Sequence, residues 1–140
     1  MKENIHVKFT KPLMTKCGFV TNEDFVPNLD EELHMKMNLI HKQGNFVNGY
    51  CPVYLCVQIG ERSESQPFFA EVEMGTVFQF DGSVDDKMKN SLIHLGAPAL
   101  LYGYIRPVIA TITNYSAFPS YDLPLGDFSD SEDKEKKDEI

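Results

Sequence analysis

The chain has 140 residues, 42% of them hydrophobic, and a formal net charge of −8. That length and apolar share suit one domain with an ordinary core. The acidic balance argues against nucleic acid as a partner, because phosphate binding needs a basic face. Half of the excess acid lies at the end: residues 127–140 hold seven Asp or Glu and three Lys, a net −4. With almost no apolar anchor, residues 129–140 read as a disordered, charged tail after a domain over residues 1–128. The opening MKENIHVKF lacks the apolar stretch of a signal peptide, and no run of 18 apolar residues follows to insert in a membrane. Cys17, Cys51 and Cys56 are odd in number and lack CxxC spacing, which fits a reducing, cytoplasmic location.

In chain order, Ile5, Val7 and Phe9 alternate with polar residues and predict a first strand, which Pro12 bends or interrupts. Residues 18–31 read as loop. Leu33, Met35, Met37 and Leu39 then alternate with Glu32, His34, Lys36 and Asn38, the clearest strand pattern in the chain. Residues 43–49 predict a turn. Val53, Leu55, Val57 and Ile59 mark a third strand. Phe68, Ala70, Val72 and Met74 mark a fourth, over about 67–80, with a bulge expected at Gly75. Four strands in succession imply an antiparallel sheet.

Beyond Asp81-Gly82 the period lengthens. A short helix is predicted over 85–95, with Pro98 near the start of another. Leu101, Ile105, Val108, Ile112 and Tyr115 recur at three- and four-residue steps, as on an amphipathic helix. Pro107 crowds the carbonyl of Gly103, so a kink is expected there rather than a stop. The predicted fold class is α+β, a four-stranded antiparallel sheet with a long C-terminal helix packed on it.

Little in the chain suggests chemistry. His6, His34, His41 and His94 lack the HxxxH or HExxH spacing of a metal site. No nucleophile elbow and no Gly-rich phosphate loop is present. Glu71 and Glu73 share a strand face and read as solvated. No enzymatic activity, metal or cofactor is expected. The strip Leu33, Met35, Met37, Leu39 stands apart, because two methionines on one strand face depart from the usual β-branched choice. It reads either as core or as an adhesive surface, since flexible, polarizable Met recurs where many partners bind.

Three segments resemble the SecB family of export chaperones. The first is Leu95-Gly96-Ala97-Pro98, continuing through Tyr104-Ile105-Arg106 to Phe118-Pro119 and Leu123-Pro124 to Phe128. The second is Phe68-Phe69-Ala70-Glu71-Val72-Glu73 with Gly75, Val77 and Phe78. The third is Glu32-Leu33-x-Met35-x-Met37, similar to a Glu-Val-x-Leu-x-Leu strand. The resemblance implies an ATP-independent chaperone that binds unfolded polypeptide or preprotein clients. It implies a homo-tetramer, a dimer of dimers. It places Leu33, Met35 and Met37, and with them Leu39, in the client groove, and Phe69 and Glu71 where the SecA motor docks. Two acids that help dock SecA in the family are replaced here by Pro12 and Lys16. The family also continues past the Leu-x-Pro stretch with a helix flanking the groove, where this chain has its charged tail. A chaperone dedicated to one client, such as an antitoxin, and a small ligand-binding or structural β-domain are the alternative expectations.

Overall fold

The structure, a computed structural model, describes residues 7–124. The predicted tail at 129–140 lies outside the described residues, as do Leu125 to Phe128. Five strands form one antiparallel sheet: β1 Val7–Phe9, β2 Leu13–Thr21, β3 Met37–Gln43, β4 Tyr50–Gly60 and β5 Phe68–Phe80. The order is β1-β5-β4-β3, and β2 also pairs with β5. The sheet is thus four lanes wide, as the alternation predicts, with Pro12 dividing the first lane in two. A proline cannot donate to the ladder, so pairing stops after Thr10, whose amide still donates to the Val77 carbonyl at 3.0 Å, and resumes at Leu13.

Two sequence expectations are corrected along this lane. Residues 18–21 belong to β2 and are not loop. The bulge lies in β2, between Met14 and Lys16, and not at Gly75. Gly75 is instead small to admit the Tyr54 ring, whose Cδ1 would sit 2.5 Å from any added Cβ. The extra residue in β2 is Thr15, and its hydroxyl donates to Glu73 Oε1 at 2.7 Å.

The even residues of β5, from Phe68 to Phe80, face the helix side with the odd residues of β4. Val53, Val57, Ile59, Ala70 and Val72 are all fully buried there. Helix α1 (Asp86–Ser91) starts at Asp85, whose side chain accepts from the Met88 amide at 2.7 Å. A π-helical turn, Leu92–Gly96, joins it without a break to α2 (Ala97–Thr113). Pro98 therefore follows a π turn rather than opening a free helix. The wider turn gives its ring room and leaves no i→i−4 bond to lose. The helix continues through Pro107 and buries Leu101, Ile105 and Ile109 against the sheet, each worth about 1.5–3 kcal/mol. By length and composition alone, Asp86–Thr113 could cross a bilayer. Its buried face is that of a core helix.

After α2 the chain doubles back along it. The Tyr121 amide donates to Thr113 Oγ1 at 2.7 Å, and Arg106 donates twice to the Leu123 carbonyl, at 3.2 and 3.0 Å. The Tyr102 hydroxyl donates to the Pro124 carbonyl. The Phe118-Pro119 and Leu123-Pro124 segments are thus an extended strap fastened to the helix, with the Leu123 side chain buried beneath it.

Candidate functional site

Helix α2 lies over β5 and β4, and this leaves the outer strand β3 largely uncovered on the helix side. Leu39 and Met37 sit on that side, opposite Val57 and Ile59 of β4. Their partners are 0% exposed, whereas Met37 is 38% exposed. Leu39 and Met35 are half-buried and pack against the core. Leu33 is 41% exposed and lines a cleft of about 430 Å³. The four residues thus form one apolar stripe that runs from the edge of the sheet into this cleft.

The stripe is not one strand, contrary to the sequence reading. Residues 32–36 lie outside any strand, and β3 begins at Met37. The cause is Gly60, where β4 ends at φ +78 and any added Cβ would collide with the Phe68 carbonyl. Beyond it no partner backbone remains for residues 33–35. A side chain takes over. Gln66 is 5% exposed; its Oε1 accepts from the Lys36 amide at 3.0 Å and its Nε2 donates to the His34 carbonyl at 3.2 Å. The Gly60 amide donates to the Lys36 carbonyl at 2.7 Å. Lys36 Nζ also reaches Glu61 Oε2 at 2.9 Å. Gln66 acts as a surrogate strand that keeps Met35 turned to the core.

The rest of the cleft comes from segments read as plain loop. Phe25, Val26, Pro27 and Leu29 form one wall, the hairpin turn with Glu64 and Ser65 another, and Phe118 a third. Val26 and Leu29 are 82% and 95% exposed. The Phe25 and Phe118 rings meet edge to face at 6.0 Å, linking this loop to the segment that follows α2. The available signal was the apolar spacing in Phe25-Val26-Pro27-Asn28-Leu29. Nothing in the sequence pointed to Gln66.

Phe69 and Glu71 lie on the opposite, helix-free face of the sheet, beside Val20 and Gly18 of β2. The structure brings these two together but separates them from the stripe by the thickness of the sheet. Arg62 stacks over the Phe69 ring at 4.9 Å. Gln58 Nε2 donates to Glu71 Oε2 at 2.7 Å, and the Cys56 thiol lies 3.8 Å from the same oxygen. Burial first, then the charges of Glu71 and Glu73, push that thiol up to about 11, so it is a poor nucleophile. Next to it, Glu73 is 5% exposed. Burial alone would raise its carboxyl. The Thr15 hydroxyl, Lys42 at 3.3 Å and the Lys16 charge outweigh that and hold it below the usual range. Lys16 stands opposite Glu73 in the register, so this face carries cations among its acids.

Among the described residues, no three His, Cys, Asp or Glu side chains converge as a metal site. The His41 and His94 rings meet edge to face at 6.3 Å, across β3 and the π turn.

The Glu61 carboxyl yields a pH prediction. Hydrogen bonds from Lys36, Ser65 and Ser63 lower it from 4.5 to about 2. A depressed acid stabilises the folded form above its unfolded value and loses that contribution as pH falls through the folded one. The tie between the turn and Lys36 is therefore expected to weaken between pH about 4.5 and about 2. Lower protection of the Gly60 amide in that window, measured against its intrinsic exchange rate at each pH and absent in Glu61→Gln, is the expected result. Equal pH profiles for the two proteins would disprove it.

Comparison with known proteins agrees with this architecture. A family model described as preprotein translocase subunit SecB matches residues 15–132. An uncharacterized protein of Methanocaldococcus jannaschii is 26% identical over 123 residues, 84% of this chain and 77% of its own length. The protein-export protein SecB of Granulibacter bethesdensis is 33% identical over 69 residues, 49% of this chain; the match spans only 40% of that relative. In fold, the chain is similar to a SecB-like chaperone of Mycobacterium tuberculosis, solved with a ChAD peptide from the HigA1 antitoxin. The TM-score is 0.68 at 13% identity, over 86% of this chain and 91% of that one. With the family model matched over most of its length, and with the sheet, helix and strap it folds into, the chain belongs to the SecB family.

Proposed function

We propose that this protein is an ATP-independent holding chaperone whose client surface is the stripe Leu33, Met35, Met37, Leu39 together with the cleft it enters. One observation carries this reading. On the helix side of β3, Met37 stays exposed and Leu39 only half-buried while their β4 partners are fully buried. Each side chain that is about two-fifths exposed, as Met37 and Leu33 are, gains roughly 0.6–1.2 kcal/mol when a client covers it, without specific sequence readout. The methionines adapt to varied client shapes. Family membership and the peptide-bound chaperone of similar fold support a polypeptide client. Exposed Leu13, Met14 and Val20 along the β2 edge support self-association, in this proposal into a tetramer, with the cytoplasm as its compartment.

For the partner, Phe69 and Glu71 on the free sheet face are the SecA-type docking residues of this proposal. Lys16 and the loss of acid at Pro12 favour a second reading, a chaperone dedicated to one client, over delivery to the motor. The test is suppression of light scattering by a chemically unfolded reporter protein without nucleotide, with SecA affinity measured by calorimetry. Suppression at near-stoichiometric protein is expected, with weak SecA binding. No suppression would defeat the chaperone reading, and submicromolar SecA binding the dedicated one.

A further inference from the structure

The middle of the stripe is built from thioethers, and sulfur undergoes a reaction that Leu and Val do not. Met37 is 38% exposed, and Met35 rests half-buried with its methyl beside Gly60. The other described methionines lie elsewhere. Met14 on the far edge strand and Met88 on α1 are exposed, and Met74 is in the core. Met37 and Met35 are two residues apart in extended chain, about 6.6 Å, so one client segment crosses both. We propose that Met37, with Met35 as the second target, is an oxidation site that switches client holding off. This rests on the stripe being the client surface.

The chemistry balances with a peroxide as oxidant. The peroxide transfers one oxygen to the thioether: the O–O bond breaks, an S–O bond forms, and sulfur loses two electrons. The peroxide leaves as water or an alcohol. Two thiols reverse the step, carrying the oxygen away as water and becoming a disulfide. The sulfoxide puts a polar oxygen where a client places apolar surface. A bound client would then bury that oxygen without a donor. Exposure sets the order, Met37 before Met35. The backbone pairing of Met37 with Ile59 involves no side chain, so the sheet persists.

The test treats the full chain with hydrogen peroxide, locates the added oxygen by peptide mass, and measures reporter aggregation before and after. Wild type is expected to need roughly tenfold more protein for half-suppression once Met37 is oxidised. A dithiol with a methionine sulfoxide reductase should restore it. Met88→Leu should respond as wild type does. In Met35→Leu/Met37→Leu, a volume-conserving change, treatment should not move the half-suppression point from its own untreated level. Equal sensitivity in that variant, or full holding by wild type carrying the Met37 sulfoxide, would overturn the switch. A wild type that holds nothing before treatment would overturn the client reading itself, and the switch with it.

Discussion

Leu33→Asp combined with Met37→Asp is expected to leave the fold intact and to cut client holding by more than tenfold. Both side chains are over a third exposed, at 41% and 38%. Leu33 lies outside any strand, and Met37 pairs with Ile59 through its backbone. Neither substitution opens a cavity, so the melting temperature should move by a few degrees at most. A client that covered these positions would lose about 0.6–1.2 kcal/mol of apolar burial at each, the two-fifths of the full value that is left exposed. It would also have to desolvate two carboxylates that have no partner there. At about 1.4 kcal/mol per decade, the sum exceeds tenfold. Met35 is a poorer choice for this test because it is half-buried against the core, where a carboxylate would destabilise the protein and confuse the readout. Circular dichroism melts and reporter light scattering read the two effects separately. A folded double mutant that holds clients as wild type does would remove the stripe from the site.

Much of this was legible from alternation and period. The odd residues of β4 and the even residues of β5 fall on the buried face as their spacing predicts, and the long helix buries Leu101, Ile105 and Ile109. β2 was illegible because the extra residue at Thr15 breaks the alternation midway and Gly18 adds no side chain to it. The start of β3 was misplaced for a different reason. Hydrophobic alternation reports which side a residue faces, and it persists in any extended segment. Strand pairing also needs a neighbour, and Gly60 ends that neighbour at Met37's level. The position of the stripe was readable, whereas its support by Gln66 was not. That support depends on one amide reaching across 30 residues to Lys36, a contact that no local pattern encodes. The Phe118-Pro119 and Leu123-Pro124 segments were visible as a motif. Their role as a strap emerges only from the hydrogen bonds of Arg106, Tyr102 and Thr113.

The largest stability effect outside the core is expected from Asn22→Asp. Asn22 Nδ2 points into the turn between β4 and β5 and meets three backbone carbonyls, Glu61 at 2.7 Å, Ser63 at 2.8 Å and Gln66 at 2.7 Å. Only the NH2 end of the amide can face three acceptors. The Asn22 backbone amide is bonded to the Pro67 carbonyl at 3.0 Å, so the side chain cannot easily swing away. An aspartate there would place a charged oxygen against three carbonyl dipoles and remove the donor from each; the Ser63 carbonyl keeps another, the Gln66 amide at 3.3 Å. The expected cost is about 3 kcal/mol, against about 1 kcal/mol for Asn22→Ala, which removes the donor but adds no repulsion. In a domain of this size the aspartate variant should melt roughly 10 °C lower. The pH dependence identifies the cause. The turn disfavours the charged form, so the folded-state value of the new carboxyl is raised, and the deficit grows as pH rises through the unfolded value. In acid the protonated carboxyl regains one donor and the gap to wild type should narrow. Holding should fall with stability, because Glu64 and Ser65 of the same turn form a wall of the cleft and Gln66 anchors the segment next to Leu33. If Asn22→Asp melts with wild type at neutral pH, the turn closes without its amide, and the cleft wall must be held by Gln66 alone.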